Sequence, residues 1–159
     1  DKVRGLLEDS AIDASRLKLE LTESMILDDI ATAIEKMQML RELGVTFSMD
    51  DFGTGYSSLA YLARLPLDEI KIDQSFVAKL PGMANDQIIV DTIITMGRSL
   101  GLRIVAEGVE TEAQHRFLEA HGCHAFQGYL FSRPVPLAEL MSFLAQARVA
   151  PGSEAVLVQ

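Results

Sequence analysis

Asp50 and Asp51 stand side by side at the end of the apolar run Val45-Thr46-Phe47-Ser48-Met49, and Phe52-Gly53-Thr54-Gly55-Tyr56-Ser57-Ser58 follows at once. Neighbouring carboxylates repel, and a chain that keeps them together supplies a counter-charge, most often a divalent cation. The glycines behind them make a turn that lets backbone approach a ligand closely. Other polar residues fall at comparable places. Glu20 and Glu23 close one strand-like run, Lys71 and Asp73 lie on another, Glu107 closes a further one with Glu110 just beyond, and Gln127 closes the last. Oxygen donors without imidazole or thiolate favour hard cations, Mg²⁺, Mn²⁺ or Ca²⁺, over zinc. Adjacent Asp50 and Asp51 suit two ions with one carboxylate bridging. Two ions about 3.5–4 Å apart serve phosphodiester hydrolysis by stabilising the attacking and leaving oxygens. Lys71 either orients the attacking water or pairs with Asp73 or Glu107, and the residues alone favour neither role.

Other chemistry-bearing residues carry less. Gly53-Thr54-Gly55 is not followed by Gly-Lys-Ser/Thr, which argues against a nucleotide P-loop. Ser57 and Ser58 have no histidine near them and are expected to start a helix. His115, His121 and His124 lie away from strand ends. Cys123 is read as a small buried apolar residue. Met25, Met37, Met39, Met49 and Met96 are expected in the core.

The elements that must position these residues repeat a pattern. Three times a helical stretch ends in glycine (Gly44, Gly101, Gly122) and a short strand-like run follows, residues 45–49, 102–106 and 123–126. Glycine there is the left-handed residue that stops a helix. Residues 16–21 and 69–73 are two further strand candidates. Residues 28–43 carry Ile30, Ile34, Met37 and Leu40 on one face, and residues 86–100 carry Ile89, Ile93, Met96 and Leu100. Thr111-Glu112-Ala113-Gln114 has the capping-box pattern, and residues 136–147 form a last amphipathic helix. Strands alternating with helices predict parallel βα units, about five here. In a parallel sheet the carboxyl ends of the strands share one rim, where βα folds build their sites. The acidic residues would converge there.

Composition bounds the rest. The 159 residues are 48% hydrophobic, enough for one domain with a sizeable core, and the net charge of −9 argues against a nucleic-acid-binding surface, which would need a basic face, and against an anionic membrane surface. The single cysteine permits no internal disulfide, which fits a reducing cytoplasm. No run approaches the ~20 apolar residues of a membrane span. The chain opens Asp1-Lys2-Val3-Arg4 without an initiator methionine, and is read as a piece of a longer protein. Residues 1–148 are expected to be the domain portion, and 149–159, with Pro151-Gly152-Ser153, a linker or disordered tail.

Five ordered motifs then carry a resemblance. Glu20-Leu21-Thr22-Glu23-Ser24, Asp50-Asp51-Phe52-Gly53-Thr54-Gly55-Tyr56-Ser57-Ser58, Lys71-Ile72-Asp73, Ala106-Glu107-Gly108-Val109-Glu110-Thr111 and Gln127-Gly128-Tyr129-Leu130-Phe131-Ser132-Arg133-Pro134 resemble the EAL domain family over nearly the whole chain. That resemblance implies a modified (βα)8 TIM-type barrel. It implies a cyclic-di-GMP phosphodiesterase that uses Mg²⁺ or Mn²⁺, two ions in the complete domain, to open the cyclic dinucleotide to linear pGpG. Attached GGDEF or sensory domains and a homodimer are implied for the parent. By the same resemblance Glu20 is a metal ligand, Asp50 the carboxylate shared by two ions and Asp51 a ligand of the second, with Asp73 and Glu107 lining that side. Lys71 contacts the nucleophilic water, Glu23 braces the Asp-Asp-Phe-Gly loop, Glu110 and Gln127 support loops or substrate, and residues 50–65 couple dimerisation to metal binding. The Glu-Ala-Leu signature and the following asparagine motif, both sources of first-metal ligands, are absent from these residues. A full barrel takes ~250 residues and eight strands. This chain is therefore expected to be an arc of about five βα units with raw edges at residues 17–21 and 125–127, prone to pair with other chains. Little hydrolysis is expected of the chain by itself; the alternative function is a non-catalytic cyclic-di-GMP receptor or interaction module.

Overall fold

The computed structural model describes residues 2–10, 12–27, 29–54, 59–82 and 84–147. Residues 55–58, with Ser57 and Ser58, and the expected tail 149–159 lie outside the described residues. Helix α1 (Lys2–Ser10) leads to strand β1 (Lys18–Thr22), short helix α2 (Glu23–Leu27) and helix α3 (Ile30–Arg41). Strand β2 (Thr46–Phe52), helix α4 (Leu59–Leu62), strand β3 (Glu69–Ile72), helices α5 (Gln74–Val77) and α6 (Ala84–Ser99), and strand β4 (Arg103–Ala106) follow. Helix α7 (Glu112–Ala120), strand β5 (Ala125–Phe126) and helix α8 (Leu137–Ala147) complete the order. The strands form one parallel sheet in sequential order, the five-strand arc of a TIM-type barrel.

Local chemistry sets the element ends. Gly44, Gly101 and Gly122 all adopt positive φ, as helix-terminating glycines do. Asp29 caps α3 by accepting from the Thr32 N–H. The Thr111–Gln114 capping box is present in full at the start of α7. β2 runs three residues beyond the sequence estimate, through both aspartates to Phe52. Asp73 lies past its strand and caps α5, accepting from the Ser75 N–H at 3.0 Å.

The pairing register separates two faces. Glu20 lies opposite Ser48, Ser48 opposite Glu69 and Glu69 opposite Arg103. One residue along, Leu21, Met49, Ile70 and Ile104 are aligned in the same way. Side chains alternate across a strand, so one face of the arc is polar and the other apolar. The apolar face packs beneath the helices, with Phe47, Ile70, Ile72, Val90, Ile94 and Leu118 essentially inaccessible.

Two packing expectations are corrected. On α6 the buried stripe is Val90, Ile93, Ile94 and Gly97, whereas Ile89 and Leu100 are exposed. At Gly97 a Cβ would meet Ile104 Cδ1 at 2.1 Å, so the glycine lets α6 pack closely on β4. A hydrophobic stripe does not register glycine, which shifted the expected face. Met37 and Met49 are core residues and Met96, partly buried, packs against the core, but Met25 and Met39 are exposed, at 66% and 49%. Both sit on the solvent side of helices that bury only one face.

Candidate active site

The five carboxyl ends of the strands bring a lysine and a set of carboxylates onto one rim. Lys71, only 4% exposed, points from β3 onto the polar face. Its Nζ lies 2.6 Å from Glu107 Oε1, 3.0 Å from Glu20 Oε1 and 3.1 Å from Asp50 Oδ1. Three strands besides its own thus converge on one ammonium. Asp73, a possible partner from sequence, instead engages Ser75 Oγ as well as the Ser75 N–H.

How adjacent Asp50 and Asp51 both reach this rim needs explanation, because neighbours in a strand point to opposite faces. Met49 pairs with Ile70 and Phe52 with Ile72, so β2 spends one residue more than β3 across this stretch. This is a bulge, which re-aims side chains. Asp51 takes φ of 52°, the left-handed region, and is the only non-glycine residue among those described to do so. The outcome is a cluster in which ligand oxygens of Asp50, Asp51 and Glu107 all lie within 4.8 Å of one another. Glu23, the first residue of α2, accepts a hydrogen bond from the Gly53 N–H at 3.2 Å through Oε1, and so ties the end of β1 to the turn behind the bulge.

The electrostatics follow from this crowding. Burial pushes the Asp51 carboxyl above its ordinary value, and the charges of Asp50 and Asp73 push it further. Burial also raises Glu107, with Lys71 pulling the other way and Asp50 and Glu20 adding to the rise. For Lys71 burial favours the neutral amine, but the bonds from Glu107, Glu20 and Asp50 outweigh it and hold the ammonium above its usual range. Among the described residues, the buried oxygens Glu23 Oε2 and Gln127 Oε1 meet no hydrogen-bond donor, and Asp50 Oδ1 has only the Lys71 ammonium at 3.1 Å. All three sit on this rim. Buried acceptors are normally satisfied, so the two without a donor mark a place built for a cation or for donors brought by a ligand. An all-oxygen donor set with an orphaned carboxylate oxygen fits a hard divalent cation.

A cavity of about 720 Å³ opens beside Glu107. Gln74, Glu110, Gln127, Tyr129 and Arg133 contribute to its wall, and the Arg133 guanidinium lies over the Tyr129 ring at 4.4 Å. Glu110 is exposed at its edge, its backbone N–H bonded to Gln114 Oε1. Gln74, Tyr129 and Arg133 were not assigned a role from sequence. Tyr129 and Arg133 lie in the motif that begins at Gln127, and their neighbourhood was the available signal; Gln74 carried none. At the opposite rim Glu69 is buried against Lys18 Nζ at 2.7 Å and Ser48 Oγ at 3.2 Å, with Arg103 Nε at 3.7 Å. This network also went unread, and it needs no ligand to be satisfied.

Known proteins resemble this chain in sequence and in fold. The family model described as EAL domain matches residues 1–134. The chain is 51% identical over 148 residues to the cyclic di-GMP phosphodiesterase NbdA of Pseudomonas aeruginosa, covering 93% of this chain and 19% of that protein. It is 47% identical over 145 residues to the bifunctional diguanylate cyclase/cyclic di-GMP phosphodiesterase MucR of the same species, covering 91% and 21%. The chain therefore spans about a fifth of the length of these relatives. The solved c-di-GMP complex of the MucR phosphodiesterase superposes with a TM-score of 0.83 at 48% identity, covering 88% of this chain and 57% of that one. A manganese/cy-diGMP complex of Klebsiella pneumoniae BlrP1 does so with a TM-score of 0.77 at 34% identity, covering 84% and 35%. No helix among the described residues is long and apolar enough to cross a membrane.

Proposed function

The chain belongs to the EAL domain family, and from that membership and its lysine-centred carboxylate rim we propose that the parent protein hydrolyses cyclic-di-GMP to linear pGpG. The observation that carries the reading is the coincidence on one rim of a bulged Asp50–Asp51 pair, Glu107 with an oxygen within 4.8 Å of both, and buried acceptor oxygens on Glu23 and Gln127 that meet no donor. Asp50, Asp51 and Glu107 would hold Mg²⁺ or Mn²⁺, with Glu20 and Asp73 beside them. Bound there, such ions supply Lewis-acid stabilisation of the attacking and leaving oxygens. Lys71, placed among Glu107, Glu20 and Asp50, would orient the attacking water. Glu23 fixes the Gly53 turn and thereby the direction of the Asp51 carboxylate. Gln127 and Glu110 face the adjacent cavity, which would take one guanine base. Attached regulatory domains, dimerisation and a cytoplasmic site of action belong to the same proposal for the parent.

The test is Asp50→Asn in the parent, assayed for cyclic-di-GMP opening across a Mn²⁺ titration. Loss of the central charge should lower turnover at limiting Mn²⁺ by at least about a hundredfold, while the melting temperature moves by only a few degrees. Normal rates at limiting Mn²⁺ would overturn the metal assignment. In the 159-residue chain alone, Glu20 and Asp50 are the remaining first-ion ligands, and turnover should stay far below that of the parent. Rates near the parent's from the chain alone would sink that part of the reading.

A further inference from the structure

We propose that Lys71 is the resident counter-ion of the acidic rim: it holds the carboxylates together before a divalent cation arrives, and it competes with that cation for them. The inference rests on the reading of this rim as a divalent-cation site, and assigns Lys71 an effect on the ion opposite to that of a supporting residue.

The geometry carries it. The ammonium sits within 3.1 Å of one oxygen each on Glu20, Asp50 and Glu107. Two of those carboxylates, Asp50 and Glu107, are also members of the cluster able to hold a metal. Asp50 Oδ1 is buried, lies 3.1 Å from the ammonium, the longest of the three contacts, and has no other hydrogen-bond donor. The ammonium therefore shares this oxygen electrostatically without saturating it. A Mg²⁺ or Ca²⁺ ion binds carboxylate oxygen at about 2.0–2.6 Å, closer than the ammonium stands. An ion on Asp50 or Glu107 would place two cations against the same carboxylates in a half-buried setting, where their repulsion is weakly screened. Lys71 must then yield at least one partner. Without Lys71 and without an ion, Glu20, Asp50 and Glu107 would face one another uncompensated. The Glu69 network at the far rim lies outside this exchange, since its cations already offset its charge.

A supporting residue and a competitor give opposite signs. If Lys71 merely supported the site, its removal would weaken ion binding. As a competitor, its removal should lower stability in the absence of ions and strengthen ion binding. Lys71→Met, which keeps the apolar stem and deletes the charge, should be made in the parent protein and followed by calorimetry with Mn²⁺ alone and by thermal melting. The metal-free melting temperature should fall by about 5 °C or more, Mn²⁺ should restore it, and the Mn²⁺ dissociation constant should drop about tenfold. Equal or weaker Mn²⁺ binding by the variant overturns the inference. Should the variant fail to fold, the unaltered protein decides. The Lys71 ammonium resonance should shift on titration with Mg²⁺, with the midpoint seen at the Asp50 amide. An ammonium signal unmoved while the Asp50 amide saturates overturns the inference alone. If the unaltered protein binds neither Mn²⁺ nor Mg²⁺ at this rim, the divalent-cation reading itself is what falls, and the competitor role falls with it.

Discussion

Replacing Glu23 by alanine isolates how the acidic pair is aimed. Asp51 occupies the left-handed region at φ 52°, which costs a non-glycine residue about 1–2 kcal/mol. Against that stands the hydrogen bond from the Gly53 N–H to Glu23 Oε1 at 3.2 Å. A hydrogen bond to a charged acceptor contributes roughly 1.5–3 kcal/mol when sheltered, and less here because Gly53 is exposed; about 1–2 kcal/mol is a fair value. The two terms nearly cancel, so this contact offsets the strain at Asp51, while the Thr54 bonds to the Asp51 carbonyl and buried Phe52 hold the rest of the turn. Deleting the Glu23 contact should take the molecules with Asp51 correctly aimed from about half to about 3–15%, since each 1.4 kcal/mol is tenfold. Apparent Mn²⁺ affinity and turnover of cyclic-di-GMP in the parent should fall together by about 3- to 15-fold. Global stability should change little, because Glu23 lies outside the apolar core. Glu23→Gln keeps an acceptor at Oε1 and should recover most of the loss. Calorimetric Mn²⁺ titration, steady-state turnover and thermal melting on both variants make the test. Glu23→Ala with Mn²⁺ affinity and rates within about twofold of the unaltered protein would refute the reasoning, and so would a fall of more than about 10 °C in melting temperature.

Two further outcomes follow from groups away from the acidic pair. Glu69→Ala strips the buried partner from Lys18 and Ser48 and should cost about 2–3 kcal/mol, less than the full penalty for breaking a buried pair because Lys18 and Arg103 can turn to water. Urea unfolding should register that loss while Mn²⁺ affinity stays within about twofold; a stability change under 0.5 kcal/mol would contradict the network. Burial pushes the Cys123 thiol up to about 11 from an ordinary value of 9.0. Below about pH 9 the thiol is neutral whether folded or unfolded, and between pH 9 and 11 only the unfolded chain ionises. Stability should therefore fall by about 2–3 kcal/mol across that window, and Cys123→Ala should lack that component of the decline. Identical pH profiles for the two proteins would rule this out.

Much of the architecture was legible because each local signal agreed with the next. Gly44, Gly101 and Gly122 end helices, the capping box starts α7, and the runs between them become parallel strands in sequential order. The rim was legible for the same reason: once the strands are parallel, Glu20, Asp50, Lys71 and Glu107 must share one end. What stayed hidden depended on pairing. The bulge at Asp50–Asp51 arises between β2 and β3, and no window confined to β2 contains it. Without the bulge, alternation would have sent one aspartate away from the site. The buried stripe of α6 was misplaced for a similar reason, since Gly97 is defined by its distance to Ile104 on another strand.

The two rims of the polar face explain why only one of them reads as a site. Glu69, Lys71 and Asp73 alternate along and just beyond β3 and so lie on the same face. At one rim a single carboxylate, Glu69, meets two cations, Lys18 and Arg103, and a hydroxyl. That carboxylate is more than offset by cations within the chain, and the network can be satisfied with nothing bound. At the other rim one ammonium, Lys71, is surrounded by Glu20, Asp50 and Glu107, with Asp51 and Asp73 close behind. One positive charge cannot balance five carboxylates, and beyond the effect of burial the neighbouring carboxylates raise Asp51 and Glu107 further. A fold under selection for stability alone would thin such a cluster or offset it, as the far rim does. The imbalance, confined to the end of the strands where βα folds bind their ligands, is the physical reason for assigning a cation to this rim and not to the other.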